Sequence, residues 1–191
     1  MARSYLRRLP LNRYIGRQYV FWTLCIADRK TGWLDVTTHL RLRELMMHAS
    51  WRYHVAFPVY CLMPDHAHFL GVGLDRMADQ RMAMRFVRSE SGPLLHACGC
   101  SWQKQAFEHV LREADLDREA LRSTIAYILA NPQRKGLVEH ANDWPYLGSV
   151  IPGYPMVDPL QDHLWRLVEL GAGWMNPKRE DEDGTLTRPA T

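Results

Sequence analysis

Nowhere in this 191-residue chain is there a run of about 18 consecutive apolar residues, the length that spans a bilayer, so no membrane partner is expected. The basic N-terminus lacks the apolar stretch of a secretory signal; nothing in it directs export, and a cytoplasmic location is expected. Cysteine is sparse. Cys25, Cys61, Cys98 and Cys100 lack zinc-ribbon or disulfide-framework spacing, which fits a reduced chain, and Cys98-Gly99-Cys100 reads as incidental. No internal repeat and no low-complexity linker divides the chain, so one domain is expected. Lysine is scarce too, at 4 against 20 arginines within a net charge of +3. Arginine offers a planar fork that grips phosphate oxygens bidentately and stacks on rings and bases.

Acids are missing from residues 1–18, where Arg3, Arg7, Arg8, Arg13 and Arg17 alternate with Tyr5 and Tyr14. Such a block suits an arm lying on nucleic acid, and equally a solvated tail. At the other end, Glu180 to Asp183 are all acidic, within a stretch from 171 to 191 that reads as a mobile tail. The domain proper is expected over 19–170.

Within it, Tyr19 to Ala27 is β-branched and aromatic and reads as a central strand. Leu34 to Tyr53 reads as a helix with Asp35 as its cap. Val55 to Met63 and His66 to Leu74 read as strands of a hairpin turning at Pro64-Asp65. The spacing predicts a helix over 75–97, with Arg81, Arg85 and Arg88 on one face as a phosphate track or a solvated stripe. Trp102 to Phe107 reads as a fourth strand. A helix from Asp117 is expected to stop at Asn131 before Pro132. Residues 138–151 read as a loop or short strand, and Leu160 to Leu170 as a last amphipathic helix.

The chemistry centres on Val59 to Val72. Residues i and i+2 of a strand point to one face, so His66 and His68 can aim both imidazoles at one point. That makes two thirds of a divalent-metal site, or simply a half-buried strand that alternates histidine with apolar residues. On the later helix, Tyr127 and Asn131 are four apart and share a face. They are a core tyrosine and a helix stop, or members of a second site.

Four segments occur in order: Met63 to Leu70, Trp102 to Arg112, Tyr127 to Val138, and Asp143-Trp144-Pro145-Tyr146. Together they resemble the single-tyrosine HUH transposases, and most closely the REP-associated tyrosine transposases, over about residues 19–149. Members of that family often carry Asn at the position of Asp65 and Ser at that of Gly148. The resemblance implies an α+β fold, a ferredoxin-like or RRM-like antiparallel sheet with helices packed on one face, which the order of elements also fits. It implies His66, His68 and Asn131 as ligands of Mg²⁺ or Mn²⁺, and Tyr127 as a nucleophile that forms a 5′-phosphotyrosine bond. A phenol ionises near ~10, so a nearby cation would help it. The implied partner is single-stranded DNA with a hairpin, cut and rejoined, by a monomer or a homodimer. Residues 143–170 would be a covering segment. Arg7, Arg8, Arg13, Arg17, Arg81, Arg85, Arg88, Arg134 and Lys135 are the expected DNA contacts; His109 reads as a strand-end residue and Asp65 as a turn residue. The alternatives are a domesticated hairpin-binding protein that no longer cuts, a metal-dependent hydrolase of a small substrate, and an RNA-binding module.

Overall fold

A computed structural model describes residues 10–111, 118–154, 158–159 and 163–175. Five antiparallel strands, β1 (Tyr19–Cys25), β2 (Val55–Met63), β3 (His66–Gly73), β4 (Phe107–Leu111) and β5 (Leu147–Val150), lie in the order β4-β1-β3-β2-β5. Five helices accompany them: α1 (Val36–Tyr53), α2 (Gln80–Glu90), α3 (Gly92–Ala97), α4 (Arg118–Arg134) and α5 (Leu164–Met175). The first four strands with α1 and α2 form the ferredoxin-like split βαβ arrangement expected.

The antiparallel α+β class is as expected, but helices lie on both faces of the sheet. Alternation in β1 sends Val20, Trp22 and Leu24 to one side, where Leu42, Met46 and Ala49 of α1 and Met84 and Val87 of α2 meet them. Phe21 goes to the other side, with Ile128 of α4 and Leu164 and Val168 of α5. The reason is in β2 and β3. Both are buried along their whole length, so each face needs a cover.

The hairpin and α1 form where expected, and Asp35 Oδ1 caps α1 by accepting from the Thr38 amide at 2.7 Å. Other elements differ. The helix expected over 75–97 begins only at Gln80, because buried Asp75 is spent on a turn: it accepts from His54 Nδ1 at 2.6 Å and from the Met77 amide at 2.7 Å. It then breaks at Ser91-Gly92-Pro93, where α3 starts with proline in its first turn. Trp102 makes only an isolated bridge with Ile26 and packs edge-on against Trp33, so β4 starts later, at Phe107. Helix α4 passes through Pro132. Its end is a Schellman motif around Gly136 (φ +67°), with Leu137 N–H on the Pro132 carbonyl and Gly136 N–H on the Gln133 carbonyl. So close to the helix end, the proline forfeits little.

Residues 10–18 of the expected arm fold onto the domain. Tyr14 is fully buried, Ile15 bridges Asp79, and the Gly16 amide bonds the Ala78 carbonyl. The C-terminal segment is built in as well: β5 extends the sheet beside β2, Trp144 donates to the Leu62 carbonyl at 2.8 Å, and α5 runs on to Met175. The rest of the expected tail, 176–191, lies outside the described residues, as do residues 1–9 and Asp117.

Gly148 answers to this packing. The buried Tyr60 hydroxyl shares a hydrogen bond of 2.8 Å with His39 Nε2 and accepts from Arg43 at 2.6 Å, which fixes it in place. A Cβ at position 148 would lie 2.6 Å from that oxygen, so the serine common in the resembled family does not fit here. Gly148→Ser is expected to destabilise the fold by about 1–3 kcal/mol, the usual cost of overpacking, as measured by urea unfolding.

Candidate active site

The β3 register puts His66 and His68 on the α4 face, and both are buried. Their Nε2 atoms stand 3.0 Å apart, with the rings at 81° to each other. The other nitrogen of each ring is held from behind. Asp65 Oδ1 lies 2.6 Å from His66 Nδ1, and Thr23 Oγ1, directly across in β1, lies 3.0 Å from His68 Nδ1. Asp65 in turn accepts from Arg29 at 3.0 Å. A carboxylate only accepts, so His66 carries a proton on Nδ1, and a neutral His66 ring would present a lone pair at Nε2. The Thr23 hydroxyl can donate or accept, so His68 can offer its partner either a proton or a second lone pair.

With two lone pairs the histidines would be arranged as a chelate. Two nitrogens bound cis to one octahedral ion at about 2.1 Å would be about 3.0 Å apart, which matches the observed spacing. Backing of Nδ1 by a carboxylate or hydroxyl is the outer-shell arrangement of metal-binding histidines. Among the described residues no three His, Cys, Asp or Glu side chains cluster. A donor of another type that meets His68 is Asn131. Buried on α4, it donates its amide N–H to the Tyr127 carbonyl at 2.7 Å, which leaves its oxygen for the His68 side, where it hydrogen-bonds the ring.

Tyr127 is 42% exposed, one turn before Asn131. Its ring stands edge-on to His68 (5.6 Å) and to Phe21 (5.9 Å), and Phe21 stacks on His68 at 5.3 Å. The Arg134 guanidinium lies 5.2 Å over the tyrosine ring. The arrangement therefore joins a solvent-facing phenol, a cation and a nitrogen–oxygen donor set on one face of the sheet.

Electrostatics suit ligation. Burial, helped by the neighbouring His66, pushes the His68 imidazole down to about 3, so it stays neutral near pH 7. Burial alone would raise Asp65, but hydrogen bonds and charge from His66 and Arg29 outweigh it and hold the carboxyl below its usual range.

Of the residues expected to form a site, His66, His68, Tyr127, Asn131 and Arg134 meet. Lys135 is exposed at the end of α4, and Arg13 and Arg17 are exposed outside the cluster. Arg81, Arg85 and Arg88 sit on α2, across the sheet from Tyr127. Arg7 and Arg8 lie outside the described residues. His109 is exposed on β4, opposite Phe21. Asp65 is more than a turn residue, since it orients His66, and asparagine would offer the same acceptor oxygen there. Sequence reasoning missed Thr23 and Phe21; only strand register could have found them.

No family model matches the chain. It is 24% identical over 135 residues to the REP-associated tyrosine transposase of Escherichia coli, covering 70% of this chain and 77% of that one. It is also 24% identical over 140 residues to a provisionally named REP-associated tyrosine transposase of Haemophilus influenzae, covering 66% and 76%. A solved structure of a REP-associated tyrosine transposase bound to a REP hairpin superposes with a TM-score of 0.61 at 25% identity, over 75% of this chain and 81% of that one. The fold is thus that of an HUH transposase. The chain is similar to the REP-associated tyrosine transposases, as its motifs led us to expect.

The buried neutral His68 makes stability depend on pH. Its proton affinity is depressed in the folded state, so its contribution is complete above about 6.5 and is lost as pH falls towards 3. His39, held down to about 4 by burial, loses stability over the same window, so urea unfolding of metal-free protein should show a loss between pH 7 and pH 5 that is about 2 kcal/mol smaller in His68→Gln than in the wild type. Equal losses in both proteins would contradict the assignment.

Proposed function

We propose that this protein cuts and rejoins single-stranded DNA next to a hairpin, in a metal-dependent reaction through a 5′-phosphotyrosine intermediate. The observation that carries the reading is the convergence of His66, His68 and Asn131 beside the exposed Tyr127. Relatives named transposases, and a structural neighbour bound to a hairpin, supply the substrate class.

His66 and His68 would hold a divalent cation, Mg²⁺ or Mn²⁺, through Nε2, and Asn131 through Oδ1; mixed nitrogen and oxygen donors favour Mn²⁺ somewhat. Once bound, that ion supplies positive charge to a phosphate oxygen as negative charge develops there. Tyr127 does the bond-making. Its phenolic oxygen gives its proton to solvent water and attacks the phosphorus, the P–O3′ bond breaks, and the departing oxygen takes a proton from water to become a free 3′-hydroxyl. The 5′ side stays joined to Tyr127. Because the ester linkage is conserved, another 3′-hydroxyl can attack it, release the tyrosine and seal a strand without ATP. Arg134 lies over the ring, where it can pair with the phosphate as Tyr127 approaches it. Phe21 and the backing of His66 and His68 hold the parts in register.

The test is a denaturing gel of the protein with labelled single-stranded hairpin oligonucleotides from its genomic surroundings, in Mn²⁺ or Mg²⁺. A slow protein–DNA band that requires metal is expected. It should vanish in Tyr127→Phe and fall at least about 10-fold in His66→Ala. Binding without any adduct in either metal would leave the protein a hairpin binder that does not cut.

A further inference from the structure

Cys98-Gly99-Cys100 reads as incidental by spacing alone, but the fold brings its two thiols together. Helix α3 ends on them in a Schellman motif: the Cys100 amide donates to the Leu95 carbonyl at 2.8 Å, and the Gly99 amide to the His96 carbonyl at 3.0 Å. Gly99 takes the left-handed conformation that this closure needs (φ +68°), which glycine adopts at little cost. Residues on either side of a position with helical angles stand about 5.4 Å apart at Cα, a separation that a disulfide spans without backbone movement. The two side chains hydrogen-bond each other. Their surroundings differ: Cys98 is exposed, whereas Cys100 is 4% exposed and belongs to the core under α1 and α2.

The turn is also held from outside. Cys98 Sγ donates to the Leu95 carbonyl at 3.1 Å, Cys100 Sγ to the Thr31 carbonyl at 3.9 Å, and Lys30 Nζ to the Gly99 carbonyl at 3.3 Å. Just beyond it, the Ala27 amide donates to the Ser101 carbonyl and the Gln103 amide to the Cys25 carbonyl, both at 2.8 Å. Pinned in this way, each thiol meets the other at a high effective concentration. Burial, and then Cys98 itself, raise the Cys100 thiol above its usual range, with Lys30 offsetting part of the rise. Cys100 therefore keeps its proton, and the solvent-facing Cys98 is the sulfur that a reagent meets first.

We propose that Cys98 and Cys100 are a redox-active dithiol, which small-molecule disulfides such as oxidised glutathione convert to an intrachain disulfide. Cys98 gives its proton to water and attacks one sulfur of the small disulfide; that S–S bond breaks, and the departing thiolate takes a proton from water. Cys100 then gives its proton to water and attacks Cys98 Sγ, which expels the second small thiolate, protonated in its turn. Both cysteine thiols are oxidised, and the small disulfide is reduced to two thiols. Because Cys98 is exposed, a thiol can attack the new bond and reverse it. This site is independent of the cleavage reading.

Mass spectrometry of the full chain tests it, after equilibration with reduced or with oxidised glutathione, alkylation in denaturant and digestion. Oxidised glutathione should lower alkylation of Cys98 and Cys100 at least about 10-fold, and the peptide holding both should be lighter by two hydrogens. Buried Cys61 should stay alkylated, and dithiothreitol should restore both thiols. Cys100→Ser should stop at a mixed disulfide between Cys98 and glutathione, whereas Cys98→Ser should leave Cys100 free. Should Cys100→Ser fail to fold, the wild type and Cys98→Ser decide the matter. Equal alkylation of both thiols in the two buffers would overturn the proposal, as would a wild type that stops at the mixed disulfide. Glutathione on Cys100 in Cys98→Ser would overturn the order of attack.

Discussion

In β3 the side chains at 66, 68, 70 and 72 face α4, and those at 67 and 69 face α1 and α2. That alternation is locked by pairing on both sides, with His68 opposite Thr23 in β1 and opposite Cys61 in β2. A slip of one residue would turn both histidines into the other core and bring Ala67 and Phe69 out in their place. Two buried apolar layers oppose such a slip, because each would have to take in the wrong side chains. The stability of the sheet and the aim of the imidazoles are therefore one constraint.

Orientation comes from a thin shell of polar contacts. Asp65 fixes the proton on His66, Arg29 holds Asp65, and Thr23 backs His68. Each contact starts from a strand end or a strand neighbour, so rigid backbone sets the geometry. Burial does the rest by keeping His68 neutral. Tyr127 differs in kind. It stands on a helix, in part exposed to solvent, with Phe21, His68 and Arg134 around its ring.

The hairpin of β2 and β3 was legible because strand periodicity and a Pro-Asp turn agree locally. Where the reading failed, tertiary contacts outweighed local pattern. Trp102 looks like a strand residue, yet its ring is needed against Trp33 and its N–H bonds Ser91. Asp75 looks like a helix start, yet it is drawn to His54. Pro132 reads as a stop, but a proline in the last turn costs one hydrogen bond, and the Schellman closure offsets it. For the site, spacing alone could pair His66 with His68 and Tyr127 with Asn131, but it could not bring the two pairs together; the resemblance did that. Thr23 and Phe21 belong to the site only through pairing across strands, which no local pattern shows. The helices on both faces follow from β2 and β3 being buried throughout, which local pattern alone does not show.

The claim on which the account turns is that His66 and His68 bind one ion together. Pulsed electron paramagnetic resonance of the Mn²⁺-loaded protein measures this directly, through couplings to imidazole nitrogens. The account predicts couplings from two histidine nitrogens, reduced to one in His66→Ala. A spectrum with no nitrogen coupling, or one that His66→Ala leaves unchanged, would contradict it.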